Sequence, residues 1–328
     1  MNDAKTNPAE TRRARRKRGG GRFECNVGLL IGLGGLAASR LGHLWIAFDV
    51  FSQFTLQFAA VALAFAIGRA LPRGRMIAAF FLLLAGIAGI GLWPHAESRM
   101  QVTATQAAAG ERAITVASFN TLYDNNQVEA VRVEIERLDA DIVTLIEFGP
   151  NKHALLAALA QRYPHQAQCF ASDYCHMAIL SKFPLASSDS RVGWEGPPLI
   201  MAKLGSELGG LTVIGVHTIR FPYSQAQFRQ VRALADFTDT LPGNKLVMGD
   251  FNATPFSRVT ATLVAQTGLA RLTSLPTWPA HARLPQVALD HIFASPGIRT
   301  LDHERIGEPA GSDHYPITMK LAVPAAGQ

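Results

Sequence analysis

From Met76 to Trp93 the chain runs MIAAFFLLLAGIAGIGLW, 18 residues without a charged side chain. At about 1.5 Å of rise per residue, such a helix nearly spans the hydrocarbon core of a bilayer. Trp93 at its end suits the lipid–water interface. Residues 51–68, FSQFTLQFAAVALAFAIG, form a second apolar run. Residues 26–39 form a third, which reaches spanning length only by continuing past Arg40 to Trp45. The reading is therefore a membrane region over 23–95 with three α-helical transmembrane segments, at about 26–45, 51–70 and 76–93.

Charge orients these segments. Residues 1–22 carry eight Lys/Arg against Asp3 and Glu10, a net +6. The link between the second and third runs holds Arg69, Arg73 and Arg75, whereas the link between the first and second holds Arg40, His43 and Asp49. Three spans put both basic segments on the cytoplasmic side, as the positive-inside tendency prefers. Two spans would not. The expectation is a basic cytoplasmic tail (1–22), a multi-pass location in a bacterial inner membrane, and everything after residue 100 in the periplasm or outside. A cleaved signal peptide needs one short apolar block and a small-residue cleavage site, which fits three successive blocks poorly.

Residues 101–328 hold 18 basic and 20 acidic side chains, so the chain's overall +6 belongs to its front end. A slightly acidic domain weighs against a duplex-DNA binder, which usually presents a basic face. Residues 96–110 read as a polar, Ala-rich linker and 323–328 as a tail. Cys169 and Cys175 lie six apart around Ala171-Ser172-Asp173; a bridge in an oxidising compartment and two free thiols both stay open.

Over 111–322 the apolar pattern switches between periods of two and 3.6. Strands are expected at 114–119, 141–146, 176–180, 199–204, 211–216, 245–249, 287–293 and 315–321. Helices are expected at 128–138, 153–161 and 224–240, the last with Phe228, Val231, Leu234 and Ala235 on one face. Strands dominate, which points to an α/β sandwich: two packed mixed sheets flanked by helices, four layers in all.

Polar residues recur where these strands end. Asn120, Glu147, His217, Asp250 with Asn252, Asp290, and Asp313 with His314 each close or interrupt an apolar run. Taken singly, each is an ordinary turn, cap or core residue. Together they offer oxygen ligands for a hard cation such as Mg²⁺ or Mn²⁺ and His/Asp pairs for proton transfer. Trp194 and Trp278 read as loop packing, and His165, His176, His281 and His303 as solvated or structural.

The ordered series SFN (118–120), LIE (145–147), VHT (216–218), GDFNATP (249–255), LDHIF (289–293) and GSDHYPI (311–317) resembles the endonuclease/exonuclease/phosphatase family. That family includes deoxyribonuclease I, abasic-site endonucleases, sphingomyelinases and inositol polyphosphate 5-phosphatases. The front end looks like bacterial members with three spans. The resemblance implies a deoxyribonuclease I-like fold and a metal held by Glu147 with Asn120 and Asp313. It implies that Asp250 orients or deprotonates the attacking water and that Asn252 holds a phosphate oxygen. Asp290 would fix the tautomer of His314, itself a base or a stabiliser of phosphorane charge, and His217 would touch the phosphate or assist the leaving group. Ile146 stands where many members have Gln, which argues against importing a DNA-repair role. The expected activity is Mg²⁺-dependent phosphoester hydrolysis, with a lipid head group favoured as substrate over nucleic acid. A nuclease and a non-catalytic membrane scaffold are the alternatives.

Overall fold

The structure, a computed structural model, describes residues 8–71, 75–97, 106–170 and 175–325. The start of the basic tail, Arg73, most of the 96–110 linker, the Ala171–Asp173 turn and the last three residues lie outside the described ones.

Four helices lead the chain. α1 (Pro8–Leu41) joins part of the basic tail and the first apolar block in one helix. It stops at Leu41, not Trp45: amides of residues 43–45 turn back onto the carbonyls of Arg40 and Leu41. A short 3-10 turn (Ile46–Phe48) and α2 (Asp49–Ser52) precede α3 (Thr55–Ala70), and α4 is Arg75–Glu97. Among the described residues, one helix, Arg75–His95, is long and apolar enough to cross a membrane. Ile46–Ser52 and Thr55–Ala70 would make a second span only as a pair bent by 61°. Small residues let α1 approach α3, because a Cβ on Gly32 would stand 2.5 Å from the Ala62 nitrogen. The outward faces carry Phe23, Leu30, Leu33, Leu63, Phe80, Phe81 and Leu84, all exposed. A water-facing helix would place polar residues there.

The rest of the chain forms the expected sandwich. In order, β1 (Glu111–Asn120), α5 (Val128–Leu138), β2 (Ile142–Ile146), α6 (Leu155–Ala158), β3 (His165–Cys169) and β4 (Met177–Ser181) come first. Then follow β5 (Leu185–Arg191), β6 (Leu199–Leu204), β7 (Thr212–His217), α7 (Ser224–Thr240), β8 (Lys245–Asp250), α8 (Arg258–Thr267) and β9 (Ala270–Arg271). β10 (Asp290–Ala294), β11 (Arg299–Thr300), β12 (Arg305–Ile306) and β13 (Ile317–Pro324) close the chain. One mixed sheet runs β11-β13-β1-β2-β4-β3, with β12 also on β13; the other runs β5-β6-β7-β8-β10-β9.

Alternation sets the layers. Leu246 and Met248 of β8 face the other sheet, while Val247 between them faces the helices. Ile114 and Val116 of β1 likewise fill the inter-sheet core, and Ala117 and Phe119 pack with Val131 and Ile135 of α5. Gly215 lets the sheets meet closely, since a Cβ there would lie 2.6 Å from the Thr144 methyl. The expected 153–161 helix is only the single turn α6, preceded by a 3-10 turn at Pro150–Lys152. β3, the exposed edge β5, and α8 had no clear periodicity to announce them. Cys169 and Cys175 are disulfide-bonded beside the β3–β4 edge.

The topology fixes the site. Each sheet contains one parallel pair joined by a crossover helix: β1 with β2 through α5, and β7 with β8 through α7. Their carboxyl ends lie at the same end of the sandwich. Asn120 pairs in register with Ile146, and His217 with Asp250; β10 begins at Asp290, opposite Asp250.

Candidate active site

Crevices at the carboxyl ends of parallel strands collect ligand-binding residues because those ends leave backbone groups and side chains unpaired. Here the ends of both sheets face one another. Asn120 is buried, and its amide nitrogen donates to Glu147 Oε1 at 3.1 Å and to Asp250 Oδ2 at 3.0 Å. Its amide oxygen accepts from Leu122 N at 3.0 Å, so as oriented Asn120 bridges two carboxylates and turns its oxygen to its own loop.

Glu147 stands one residue past β2 with φ 51°, a left-handed conformation that costs a non-glycine residue free energy. Its Oε2 accepts from Tyr123 N at 3.0 Å, and its Oε1 is 3.4 Å from His217 Nε2. Burial pushes this carboxyl up, but the His217 charge, the Tyr123 amide and the Asn120 side chain outweigh it and hold it below its ordinary value.

Asp250 is almost fully buried. Its Oδ1 accepts from Asn252 N at 2.7 Å. His314 Nε2 lies 3.7 Å and His217 Nε2 3.8 Å from Oδ2. Burial is the main reason its pKa is pushed up to about 6, against the pull of His314. Asn252, at φ 46°, turns its side-chain amide onto Thr218 O at 3.0 Å and Asp250 Oδ2 at 3.3 Å.

Asp290 and His314 form the innermost pair. His314 Nδ1 is 2.8 Å from Asp290 Oδ2, which also accepts the Thr277 hydroxyl at 2.6 Å. Burial alone would lower the His314 pKa; the Asp290 and Asp250 carboxylates outweigh it and raise it to about 10. The two carboxylates thus favour the protonated imidazole, whose Nε2 can donate a proton or a hydrogen bond toward the cleft.

Two groups of potential ligand atoms each lie within 4.8 Å of one another: Glu147, His217 and Asp250, and Asp250, Asp290 and His314. The first suits a divalent cation better. It brings two carboxylates to one partly open point, whereas the second is buried and already holds a cationic imidazole. Asp313 belongs to neither group. Its Oδ2 accepts from Trp278 Nε1 at 3.1 Å, and both residues line the cleft wall. Trp278 is thus part of the cleft, not merely loop packing. Trp194 is packing: it lies edge-on to Phe237 with its indole N–H on Pro197 O.

The cleft encloses about 500 Å³ around Glu147, His217, Asp250 and His314. A second hollow of about 590 Å³ opens on the other side of Glu147 and His217, toward Tyr123 and His176, whose rings lie 4.6 Å apart. Sequence reading missed several supports of this site. Gln227, not its neighbour Phe228, is the buried one, and its amide holds the carbonyls of Phe251 and Asn252 at 2.9 Å each. Ser312 ties the two sides, donating to Asn120 O at 2.7 Å and accepting from His314 N at 3.1 Å. Lys152 is wholly buried, with its amine on the carbonyls of Leu122 and Tyr123 at 2.8 and 2.9 Å. A polar residue at a helical core position was the one available signal for Gln227. Lys182, at the turn after β4, pairs with Asp139 and Asp141.

Two mixed sheets thus bring acids, amides and imidazoles together at their carboxyl ends. A family model described as "Endonuclease/Exonuclease/phosphatase family" matches residues 117–314, and the chain belongs to that family. Among solved structures, it is similar to sphingomyelinase C from Streptomyces griseocarneus at 17% identity and a TM-score of 0.52, covering 64% of this chain and 99% of that one. It is similar to a humanized D. rerio TDP2 with 14 mutations at 18% identity and a TM-score of 0.53, covering 64% and 98%. A mannosyl-6-phosphatase from Bacteroides thetaiotaomicron matches at 14% identity and a TM-score of 0.50, covering 63% and 99%. At such identities these likenesses speak for the fold. Comparison with curated proteins found no match.

Proposed function

We propose that the chain is a divalent-metal-dependent phosphoester hydrolase, with residues 111–322 as its catalytic domain, held at a bacterial inner membrane with the cleft on the outer side. The observation that carries the reading is the convergence of Glu147, His217, Asp250, Asp290 and His314, from both sheets, on one open cleft. Glu147 and Asp250 would hold Mg²⁺ or Mn²⁺, with Asn120 supporting both carboxylates. The metal, when bound, neutralises charge on the phosphoryl oxygens and polarises the ester. Asp250 orients the attacking water and takes its proton. Asn252 and His217 hold phosphate oxygens. His314, fixed by Asp290, donates toward the charge that develops on phosphorus. Asp313 sits on the wall and orients Trp278.

The anchoring reading is supported by the ends of the helical bundle. Arg69 bonds Asn26 at one end of the α1–α3 pair, and Gly42 at the other end of α1 meets Arg258 of the sandwich. The Arg-bearing end therefore points away from the cleft, as it would if it were cytoplasmic. Phe54 packs edge-on to Phe221 of the cleft wall at 5.8 Å, and Tyr223 beside it is exposed. An apolar rim continuous with a lipid-facing bundle favours a lipid head group as the phosphoester, and a bilayer as the partner.

The test is hydrolysis by the purified full chain of phospholipid, nucleotide, sugar phosphate and DNA substrates with Mg²⁺, Mn²⁺ or chelator. Glu147→Gln and His314→Ala should each lower metal-dependent turnover by at least about 10²-fold; wild-type activity retained in both sinks the hydrolase reading. Preferential cleavage of DNA would replace the lipid assignment with a nuclease.

A further inference from the structure

The helices at the front of the chain are bonded to the loop that carries Asn252, about 200 residues away. Asp49 of α2 accepts from Arg258 N with Oδ1 at 2.7 Å and from the Ser257 hydroxyl with Oδ2 at 2.5 Å. Gln53 Oε1 accepts from Thr254 N at 2.7 Å, and Ser52 O accepts from the Thr254 hydroxyl at 3.1 Å. Asp49, Ser52 and Gln53 are 1%, 0% and 2% exposed, so water cannot replace these contacts. The carboxylate sits at the first turn of α8, where unpaired amides and the helix dipole favour an anion.

A plain tether would not require such a joint. The chain already connects bundle to sandwich through residues 98–110, and an apolar contact would be enough for adhesion. Buried polar contacts instead fix geometry, because each costs free energy unless met at the right distance. What they fix is the segment 251–257. At its start Asn252 is held at φ 46° by Gln227 and Thr218, and at its end Thr254, Ser257 and Arg258 are held by α2.

We propose that Asp49 and Gln53 are positioning residues of the cleft, so that the docked helices set the geometry of the Asn252 loop and turnover depends on them. This rests on the hydrolase reading above, since it assigns Asn252 to the substrate phosphate. The helical region then works on the reaction as well as on location.

The experiment uses the full chain in lipid nanodiscs with bis-p-nitrophenyl phosphate and Mn²⁺ or Mg²⁺. Asp49→Ala should lower kcat about tenfold and leave KM within about twofold, because the loop can no longer settle on the transition state. Asp49→Asn should restore most of the rate, since its oxygen can still accept from Arg258 N. Gln57→Ala, which breaks a bundle contact to Gln286 O on another face, should leave kcat within about twofold. Independently of turnover, hydrogen exchange at residues 252–257 should quicken about tenfold in Asp49→Ala while the sheets stay protected. Wild-type kcat and loop exchange in a folded Asp49→Ala protein would overturn the proposal. So would equal loss of protection throughout, which marks a merely structural contact. If Asp49→Ala does not fold, Gln53→Ala is read by the same two measurements. If the wild type does not turn over this substrate with either metal, the substrate panel above decides the hydrolase reading, and loop exchange alone decides whether the dock fixes the loop.

Discussion

The two sides of the cleft differ in how much water they meet. The side chains of Asp250, Asp290 and His314 are 2%, 0% and 6% exposed, whereas those of Glu147 and His217 are 25% and 33% exposed. In the buried trio the Asp290 carboxylate holds His314 at 2.8 Å and Asp250 lies 3.7 Å from the same ring, so the site is organised before anything binds. On the open side Glu147 is held by Asn120 and the Tyr123 amide, and His217 faces it at 3.4 Å, so both remain available to a cation and a substrate. Preorganisation and access are thus divided between the sheets' deeper and shallower ends.

The comparison breaks most visibly at His314. His314→Ala removes the cation between two buried acids. Hydrolysis should fall by about 10³-fold or more, and stability by about 3–5 kcal/mol, read as kcat and as a urea midpoint. Asp250→Asn should separate the two effects. Activity is lost, yet stability at pH 7 should rise by up to ~3 kcal/mol, the equivalent of moving a carboxyl from 3.8 to about 6. A destabilised Asp250→Asn protein would mean that its hydrogen bonds outweigh its burial.

On the open side, Glu147→Gln should cost about 10²–10³-fold in rate and raise the metal concentration needed, with stability changed by less than about 1 kcal/mol. A large stability loss there would erase the contrast between the two sides. pH sharpens it further. Because the His314 pKa is raised above its unfolded value, its stabilisation is complete below about 6.5. It drains away as pH rises through about 10. His314→Gln should lack that alkaline loss in thermal melts. The smallest effect is expected at the wall: Asp313→Asn should change kcat/KM by less than about tenfold, since its partner is the Trp278 indole.

Much of the sandwich was legible because period-two and period-3.6 patterns follow from which face of an element is buried. α5 and α7 fall on the expected residues 128–138 and 224–240. β5 was not legible, because a strand exposed on both faces has no alternation to show. α8 was hidden for a different reason: its first turn is capped by Ser257 and by Asp49 from a distant helix. The membrane-like runs were visible as composition, but composition carries no break, and the turn after Leu41 and the 61° bend before Thr55 needed the packed bundle.

The amino-acid order determined the strand-end chemistry on its own, since a polar residue at the close of an apolar run can be read without knowing its neighbours. It determined the family for the same reason. Only the tertiary structure decided which of those residues meet. Distance is a property of sheet register and crossover, so Asp250 reached Asn120, His217 and His314 while Asp313 turned to Trp278. The same reason kept the Asp49 joint out of sight: two segments 200 residues apart share no pattern until folding brings them together.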